Sequence, residues 1–367
     1  MIHRIEIEEL IKIRDTVPVA DVRTPAEFEK GHIPGASNLP LFSNEQRVLV
    51  GTTYKQESRE AAILLGFDLA GPKWSGFIRQ SLEMAPQKKI AVHCWRGGMR
   101  SGAMAWALDL YGFEVFLVKG GYKGYRKWVL RQFEEDYRLN VLGGLTGSGK
   151  TKILQQLRLP GEQVIDLEGI AQHQGSTYGT LNKLIQPSQE QFENNFADEL
   201  SRLDPQREIW VEDESLNIGK CSIPRSFWHR MQQSPLIDLQ VAVDQRVEAL
   251  VKEYGPLDKD FLVECTDRIR KRLGFEQAKR AIIAIREDRM DEFIRLVLFY
   301  YDKTYRTALK HRSSDRIFPV PLDNSDPAFN ARRVLDFARG LAGAGTGKPE
   351  TASGTGQSPS LGTTLNK

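Results

Sequence analysis

Cysteine occurs three times in this chain, and one of the three stands in a setting suited to chemistry. In KKIAVHCWRGGMRSGAMAWAL, residues 88–108, an apolar β-like run ends at Cys94 and a helical stretch begins near Arg100 or Ser101. A short strand-to-helix loop gathers backbone N–H groups around the sulfur, and the helix N-terminus adds its partial positive charge. Arg96 and Arg100 add full charges, so the loop favours a thiolate and holds any anion bound to it. Gly97 and Gly98 suit a backbone wrapped this tightly. Cys94 is therefore expected to be a nucleophile at neutral pH, with Arg96, Gly97, Gly98 and Arg100 as its anion-binding frame. Cys221 and Cys265 lack such a loop and are expected to be structural.

A second chemistry is written in Gly144-Leu145-Thr146-Gly147-Ser148-Gly149-Lys150-Thr151, which fits GxxxxGK[ST] between an apolar strand and a helix. Its backbone amides, chiefly from Gly144, Gly147, Ser148 and Gly149, cradle a phosphate, Lys150 brings a point charge to the outer phosphates, and Thr151 can ligate Mg²⁺. Asp213, at the end of the apolar run before EDES, is the candidate Walker B-like carboxylate. Such a loop accepts any di- or triphosphate, so neither ATP nor GTP is implied.

The elements that must hold these loops alternate. VPVADV, KKIAVHC and EVFLVKGG read as strands separated by helices around ESREAAILLGF and MRSGAMAWALDLYGF, which is an α/β pattern with a parallel sheet. A connecting helix over GGYKGYRKWVLRQFEEDY leads to a new strand, the glycine loop and a helix, with further strands at EIWVEDES and DLQVAV. A long helical stretch from Arg246 to about Ala308 follows. The expected domains are residues 1–137, 138–338 with a helical appendage, and a disordered tail at 339–367, where Gly, Thr, Ser, Ala and Pro cannot repay the entropy of ordering.

Composition sets the outer limits. At 367 residues the chain is long enough for two cores, and 40 % hydrophobic with 27 % charged residues is the balance of a globular protein. The scattered cysteines and the absence of CxxC or HxxxH spacing predict no disulfide framework and no resident metal, hence a reducing cytoplasm. MIHRIEIEEL lacks the basic end and apolar run of a leader, and no apolar stretch approaches the roughly 18 residues of a membrane span. A net charge of +3 permits a nucleic-acid partner without demanding one. Local clusters point further: Arg268, Arg270, Lys271 and Arg272, with Lys279, Arg280 and Arg286, on the appendage, and Arg126, Lys127 and Arg131 on the connecting helix, are candidate nucleic-acid phosphate contacts. Tyr301 and Tyr305 share a helix face, where core packing is the first expectation.

The cysteine loop alone leaves two readings, because HCWRGGMRS also satisfies the HCxxGxxR pattern of cysteine phosphatases followed by Ser101. What separates them lies upstream. ADVRTPAEFEKGHIPGASNLP, through Asp21, Arg23, Glu27, Phe28, His32, Pro34, Gly35 and Ala36, resembles the opening signature of rhodanese-like sulfurtransferases, and LVKGGYKGYRKW resembles their closing Gly-Gly segment. A phosphatase also needs a carboxylic acid to protonate its leaving oxygen, and none stands out. The fold class is thus an α/β chain with an N-terminal rhodanese-like domain followed by a P-loop NTPase-like α/β domain with a helical appendage.

The union of these two halves resembles the bacterial tRNA 2-selenouridine synthases from about Ala20 to Tyr305. Ile165-Asp166-Leu167-Glu168-Gly169, His173 with Gly175-Ser176-Thr177-Tyr178-Gly179, Phe192-Glu193-Asn194, Val211-Glu212-Asp213-Glu214-Ser215 with Ile218-Gly219, and Tyr300-Tyr301-Asp302 with Tyr305 carry it. Gln174 stands where the family wording has arginine. The resemblance implies a transferase acting on the anticodon wobble 2-thiouridine of tRNA in two steps: S-alkylation by geranyl diphosphate, held at the phosphate loop, then replacement of the geranylated sulfur by selenium from selenophosphate, with Cys94 carrying selenium as a perselenide. It implies no tightly bound cofactor and selenophosphate synthetase as the partner supplying the donor; Mg²⁺ at the phosphate loop rests on Thr151 of the motif alone.

Overall fold

The computed structural model describes residues 1–173, 178 and 185–344. Gln174, Gly175, Ser176, Thr177 and Gly179 lie outside the described residues, as does the expected tail from 345 onward.

The first sheet is built from β1 (Ile2–Ile5), β2 (Val19–Asp21), β3 (Ser37–Asn38), β4 (Lys89–His93) and β5 (Glu114–Val118), in the order β1-β5-β4-β2-β3 and parallel throughout. Its central strand β4 is buried from Ile90 to His93, the continuous apolar run that a parallel strand covered on both faces requires. The chain leaves β4 directly into Cys94, so the cysteine sits at the carboxyl end of the sheet, where α/β proteins place their ligands. β1, in the MIHRIEI segment, is an edge strand that the sequence pattern does not announce, its apolar Ile2 and Ile5 standing three apart. It pairs in parallel with β5 from Ile2↔Val115 to Ile5↔Val118.

The second sheet contains β6 (Arg138–Gly144), β7 (Gln163–Ile165) and β8 (Glu208–Glu212); a small hairpin of β9 (Asn217–Ile218) and β10 (Cys221–Ser222) stands apart. β11 (Leu236–Val241) and β12 (Ile317–Leu322) complete the parallel order β12-β11-β6-β8-β7. Central β6 runs into the phosphate loop. The helices between Val243 and Leu309 form the appendage around a separate apolar cluster containing Leu262, Ala281 and Phe293. The domain does not end there, because the chain returns to add β12 to the sheet and then the helix Pro327–Ala344, which packs on the helix Lys150–Arg158 behind the phosphate loop. Pro319 and Pro321 tolerate this return because β12 pairs on one side only. The expected boundary at 338 therefore falls inside a helix.

The two halves share one core. Leu10, Tyr122, Tyr125 and Trp128 from the first join Phe192, Phe196 and Phe227 from the second, and Tyr137, near the expected boundary, is buried among them. The helix Gly121–Gln132 lies against the helix Gln189–Ser201. Arg14 and the buried carboxylate of Asp198 form an ion pair across the same junction. Among the described residues no helix is long and apolar enough to cross a membrane.

Candidate functional site

Cys94 is free and buried, at 4 % exposure. Its Sγ lies 3.2 Å from the Ser101 hydroxyl. Burial pushes the thiol up, but the Ser101 hydroxyl, the backbone N–H groups of Ser101 and Arg96 and the charge of Arg100 together outweigh it, and the pKa falls below the ordinary cysteine value. Arg100 is held by Glu27 at 2.8 Å, and Glu27 also faces Arg47 at 3.3 Å. Glu27 is in place because Thr24 caps the helix Pro25–Lys30 and Glu27 closes the reciprocal capping box. Arg96 and Gly98 are exposed, while Gly97 takes φ +65° and presses against the backbone of the following Gly-Gly segment. At Gly121 a Cβ would lie 2.2 Å from the Cys94 carbonyl oxygen, so only glycine allows this approach.

The signature residues upstream build the floor beneath the sulfur. Arg23 is bound to Asp21 and donates to the Gly31 carbonyl at 2.8 Å, its guanidinium 3.7 Å from the centre of the Tyr122 ring. His93 faces Asp21 at 3.8 Å within the same buried set. Tyr122 carries this frame across the domain junction. Its backbone N–H donates to the Cys94 carbonyl at 2.8 Å, and its hydroxyl donates to Glu190 at 2.9 Å and accepts from Asn194 at 2.8 Å. Asn194 donates also to the His32 carbonyl, and Gln191 accepts from the His32 N–H.

The phosphate loop has the conformation its glycines permit, with φ +143°, +84° and +82° at Gly144, Gly147 and Gly149. Lys150 Nζ donates to the Gly144 carbonyl at 2.9 Å, and Ser148 Oγ is buried without a partner. Tyr305 anchors the loop from the appendage: its hydroxyl donates to Asp238 and accepts from the Gly144 N–H, both at 2.8 Å. Core packing is the first expectation for Tyr305, and the structure adds this polar anchor to it. Arg246 ties the loop's Thr146 carbonyl to Asp302, the latter at 2.7 Å.

Asp213 does not occupy the place expected of it. Its carboxylate accepts from the buried Arg312 at 2.9 Å, because the return to β12 brings that arginine in. The carboxylate facing Thr151 and Lys150 is that of Glu212, the last residue of β8. Glu168, Glu212 and Glu214 bring carboxylate oxygens within 4.8 Å of one another. Glu212 is 1 % exposed and neither of its oxygens has a hydrogen-bond partner. Burial first, then the neighbouring carboxylates, push Glu168 up to about 9 and Glu214 up to about 8, with Lys150 opposing. Burial raises Glu212 as well. An orphaned Glu212 with two further carboxylates crowded against it beside a phosphate loop fits a divalent cation, which Glu212, Glu168, Glu214 and Thr151 would hold.

Of the candidate RNA contacts, Arg126 is engaged at the domain junction with Glu193 and Asn194, and Arg131 pairs with Glu8. Arg268 and Arg270 are exposed but paired with Glu264 and Asp267 of their own helical segment; Lys271 and Arg272 are exposed. An unanticipated feature adjoins the cysteine loop. A cavity of about 850 Å³ is lined by Phe42, Ile63, Phe67, Trp74, Met99 and Arg100, among others. The helix Arg59–Ala70 on its wall is apolar on nearly every face, yet leaves Leu64 and Phe67 exposed.

Comparison with known proteins places both halves. Residues 6–127 match the rhodanese-like domain family, and residues 137–321 match the family described as the tRNA 2-selenouridine synthase AAA domain. A tRNA 2-selenouridine synthase of Shewanella sediminis is 35 % identical over 341 residues, 82 % of this chain and 90 % of that protein. The Marinobacter nauticus protein of the same name is 38 % identical over 72 % of this chain and 77 % of its own length. That of Pseudomonas putida strain GB-1 is 36 % identical over 77 % of this chain and 80 % of its own.

Proposed function

Because this chain belongs to the tRNA 2-selenouridine synthase family, we propose that it converts the wobble 2-thiouridine of tRNA to 2-selenouridine through an S-geranyl intermediate, drawing on geranyl diphosphate and selenophosphate. The observation that carries this reading is the pairing, on one continuous core, of two anion-binding loops with different chemistry: a nucleophilic cysteine and a phosphate cradle.

The first step belongs to the phosphate loop. The thiocarbonyl sulfur attacks the allylic carbon of geranyl diphosphate, the C–O bond breaks, the pyrimidine N3 proton is lost to water, and diphosphate departs. Amides of the loop and Lys150 stabilise the charge that develops on the departing group. A magnesium ion held by the Glu168, Glu212 and Glu214 set would supply further neutralisation of that charge. Alkylation turns sulfur into a leaving group, which the second step requires.

The second step belongs to the cysteine loop, where selenium replaces the geranylated sulfur and geranyl thiol departs. Arg100 and the loop amides suit an anionic donor. The apolar cavity beside Met99 and Arg100 suits the prenyl chain of the alkylated base. The test is nucleoside mass spectrometry of 2-thiouridine tRNA incubated with the protein, geranyl diphosphate and selenophosphate. S-geranyl-2-thiouridine followed by 2-selenouridine is the expected sequence; selenouridine formed at full rate without geranyl diphosphate would overturn it.

A further inference from the structure

The cysteine loop is large for the task of carrying a single chalcogen atom. Five residues separate Cys94 from Arg100. Among the described residues, no protein oxygen accepts from the backbone N–H groups of Trp95, Gly97, Gly98, Met99 or Arg100. The curvature of this ring of donors is fixed from below, where Tyr122 and Lys123 donate to the carbonyls of Cys94 and Trp95 at 2.8 and 2.9 Å. One selenium atom cannot engage so many donors, whereas a phosphoryl group presents three oxygens to them. Ser101 adds a second observation. Its hydroxyl lies 3.2 Å from both Cys94 Sγ and the Gly98 carbonyl, so its one proton can turn to the sulfur when sulfur must leave as thiolate.

Electron balance points the same way. Selenium in selenophosphate is already fully reduced, and a perselenide on cysteine would require removal of two electrons by an oxidant that neither the site nor the reaction supplies. We infer that Cys94 accepts the phosphoryl group of selenophosphate instead of its selenium, an inference resting on the reading above that selenophosphate is the donor. The thiolate attacks phosphorus, an S–P bond forms, the P–Se bond breaks, and the electron pair leaves with selenium as hydrogen selenide. Water then attacks phosphorus and the S–P bond breaks, giving phosphate and the free thiolate assisted by Ser101. Hydrogen selenide anion, released beside the alkylated base, adds at C2 and expels geranyl thiolate; the selenium's proton passes to N3, and the thiolate takes a proton from water. Phosphorus and selenium keep their oxidation states throughout. Selenide leaves as a stable anion, so this site needs no acid. Glu27, the carboxylate nearest the loop, is committed to Arg100 and Arg47 and offers none to an alkoxide.

The test uses the full chain without tRNA. The protein is mixed with p-nitrophenyl phosphate or with selenophosphate and quenched in acid within seconds, and the peptide containing Cys94 is weighed while selenide is trapped by an alkylating reagent. A single phosphoryl group on Cys94 in a minor fraction of the chains with either donor, and one selenide per selenophosphate consumed with the second, is the expected result. Ser101→Ala should raise the trapped fraction about tenfold, since the departing thiolate loses a charge-assisted hydrogen bond. Phosphorylation by p-nitrophenyl phosphate without selenide release from selenophosphate would support the phosphoryl chemistry and remove selenophosphate as the donor. Selenium bound to Cys94, or no phosphocysteine in either folded protein while tRNA is still selenated, would overturn the inference and leave the overall function standing.

Discussion

The cysteine loop and the phosphate loop solve one problem, holding an anion at the end of a central strand, with opposite electrostatics. Around Cys94 the charges close on themselves: Arg100 is held by Glu27, Glu27 faces Arg47, and the thiol is already lowered. Around Lys150 they do not close, because three carboxylates crowd the loop and two of them are pushed to about 8 and 9. A site with internal balance is ready before its substrate arrives. One with unbalanced charge is completed by what binds, so its chemistry and its stability both answer to ligand and pH.

The sharpest way to break this comparison is Cys94→Ser. A hydroxyl protonated at neutral pH replaces a thiolate in an otherwise intact loop, and selenouridine formation should fall by at least about a thousandfold. S-geranyl-2-thiouridine should accumulate, as nucleoside mass spectrometry will show. Cys221→Ser and Cys265→Ser should not have this effect. Loss of both products in a folded Cys94 variant would instead couple the two loops.

Lys150→Ala comes next. The amides remain but a charge-assisted contact worth about 1.5 to 3 kcal/mol is lost, so geranylation should slow roughly ten- to a hundredfold. Unchanged geranylation would move the diphosphate elsewhere.

The unbalanced charge itself is testable by pH. Glu168 and Glu214 bind protons more tightly in the folded chain than in the unfolded one, so stability is lost as pH rises from the ordinary carboxylate range through about 8 to 9. A divalent cation binds the deprotonated set and opposes that loss. Magnesium should therefore raise Tm more at pH 8.5 than at pH 6; at a hundredfold excess over its Kd the stabilisation at pH 8.5 is about 2 to 3 kcal/mol. In Glu212→Gln the pH-dependent difference should shrink; a magnesium effect equal at both pH values would show that these carboxylates do not hold the ion.

The smallest effect is expected on the appendage. Neutralising Arg270, Lys271 and Arg272 together should weaken tRNA binding and flatten its salt dependence with little change in Tm, since all three are exposed. Wild-type affinity and salt slope would reduce the cluster to a solvated face.

Both loops were legible because each is local, with strand, glycines, reactive residue and helix start all within one stretch of sequence. The rhodanese and phosphate-loop halves were legible for the same reason. What escaped depends on partners distant in the chain. Arg312 reaches Asp213 only because β12 returns after the whole appendage, and that return displaced the expected carboxylate in favour of Glu212. The acid-rich segments around Glu168 and Glu214 were visible as wording, but their convergence needs the helix Leu167–Ala171 to meet the segment that follows β8. Arg126 looked like an RNA contact because its exposure could not be judged before the helix Gln189–Ser201 was seen to cover it.

Tyr122 is bonded to both halves of the chain. One residue grips the cysteine loop by its backbone and the second domain by its hydroxyl, inside a core that belongs to both halves. Such a junction works as a weld, so the two reaction centres keep a fixed separation. Under the two-step reaction proposed above, an anticodon needing both would have to be carried between them by the RNA. The fate of a half-finished nucleotide is then a race between re-docking and escape, and the yield of finished product depends on how slowly the tRNA body lets go.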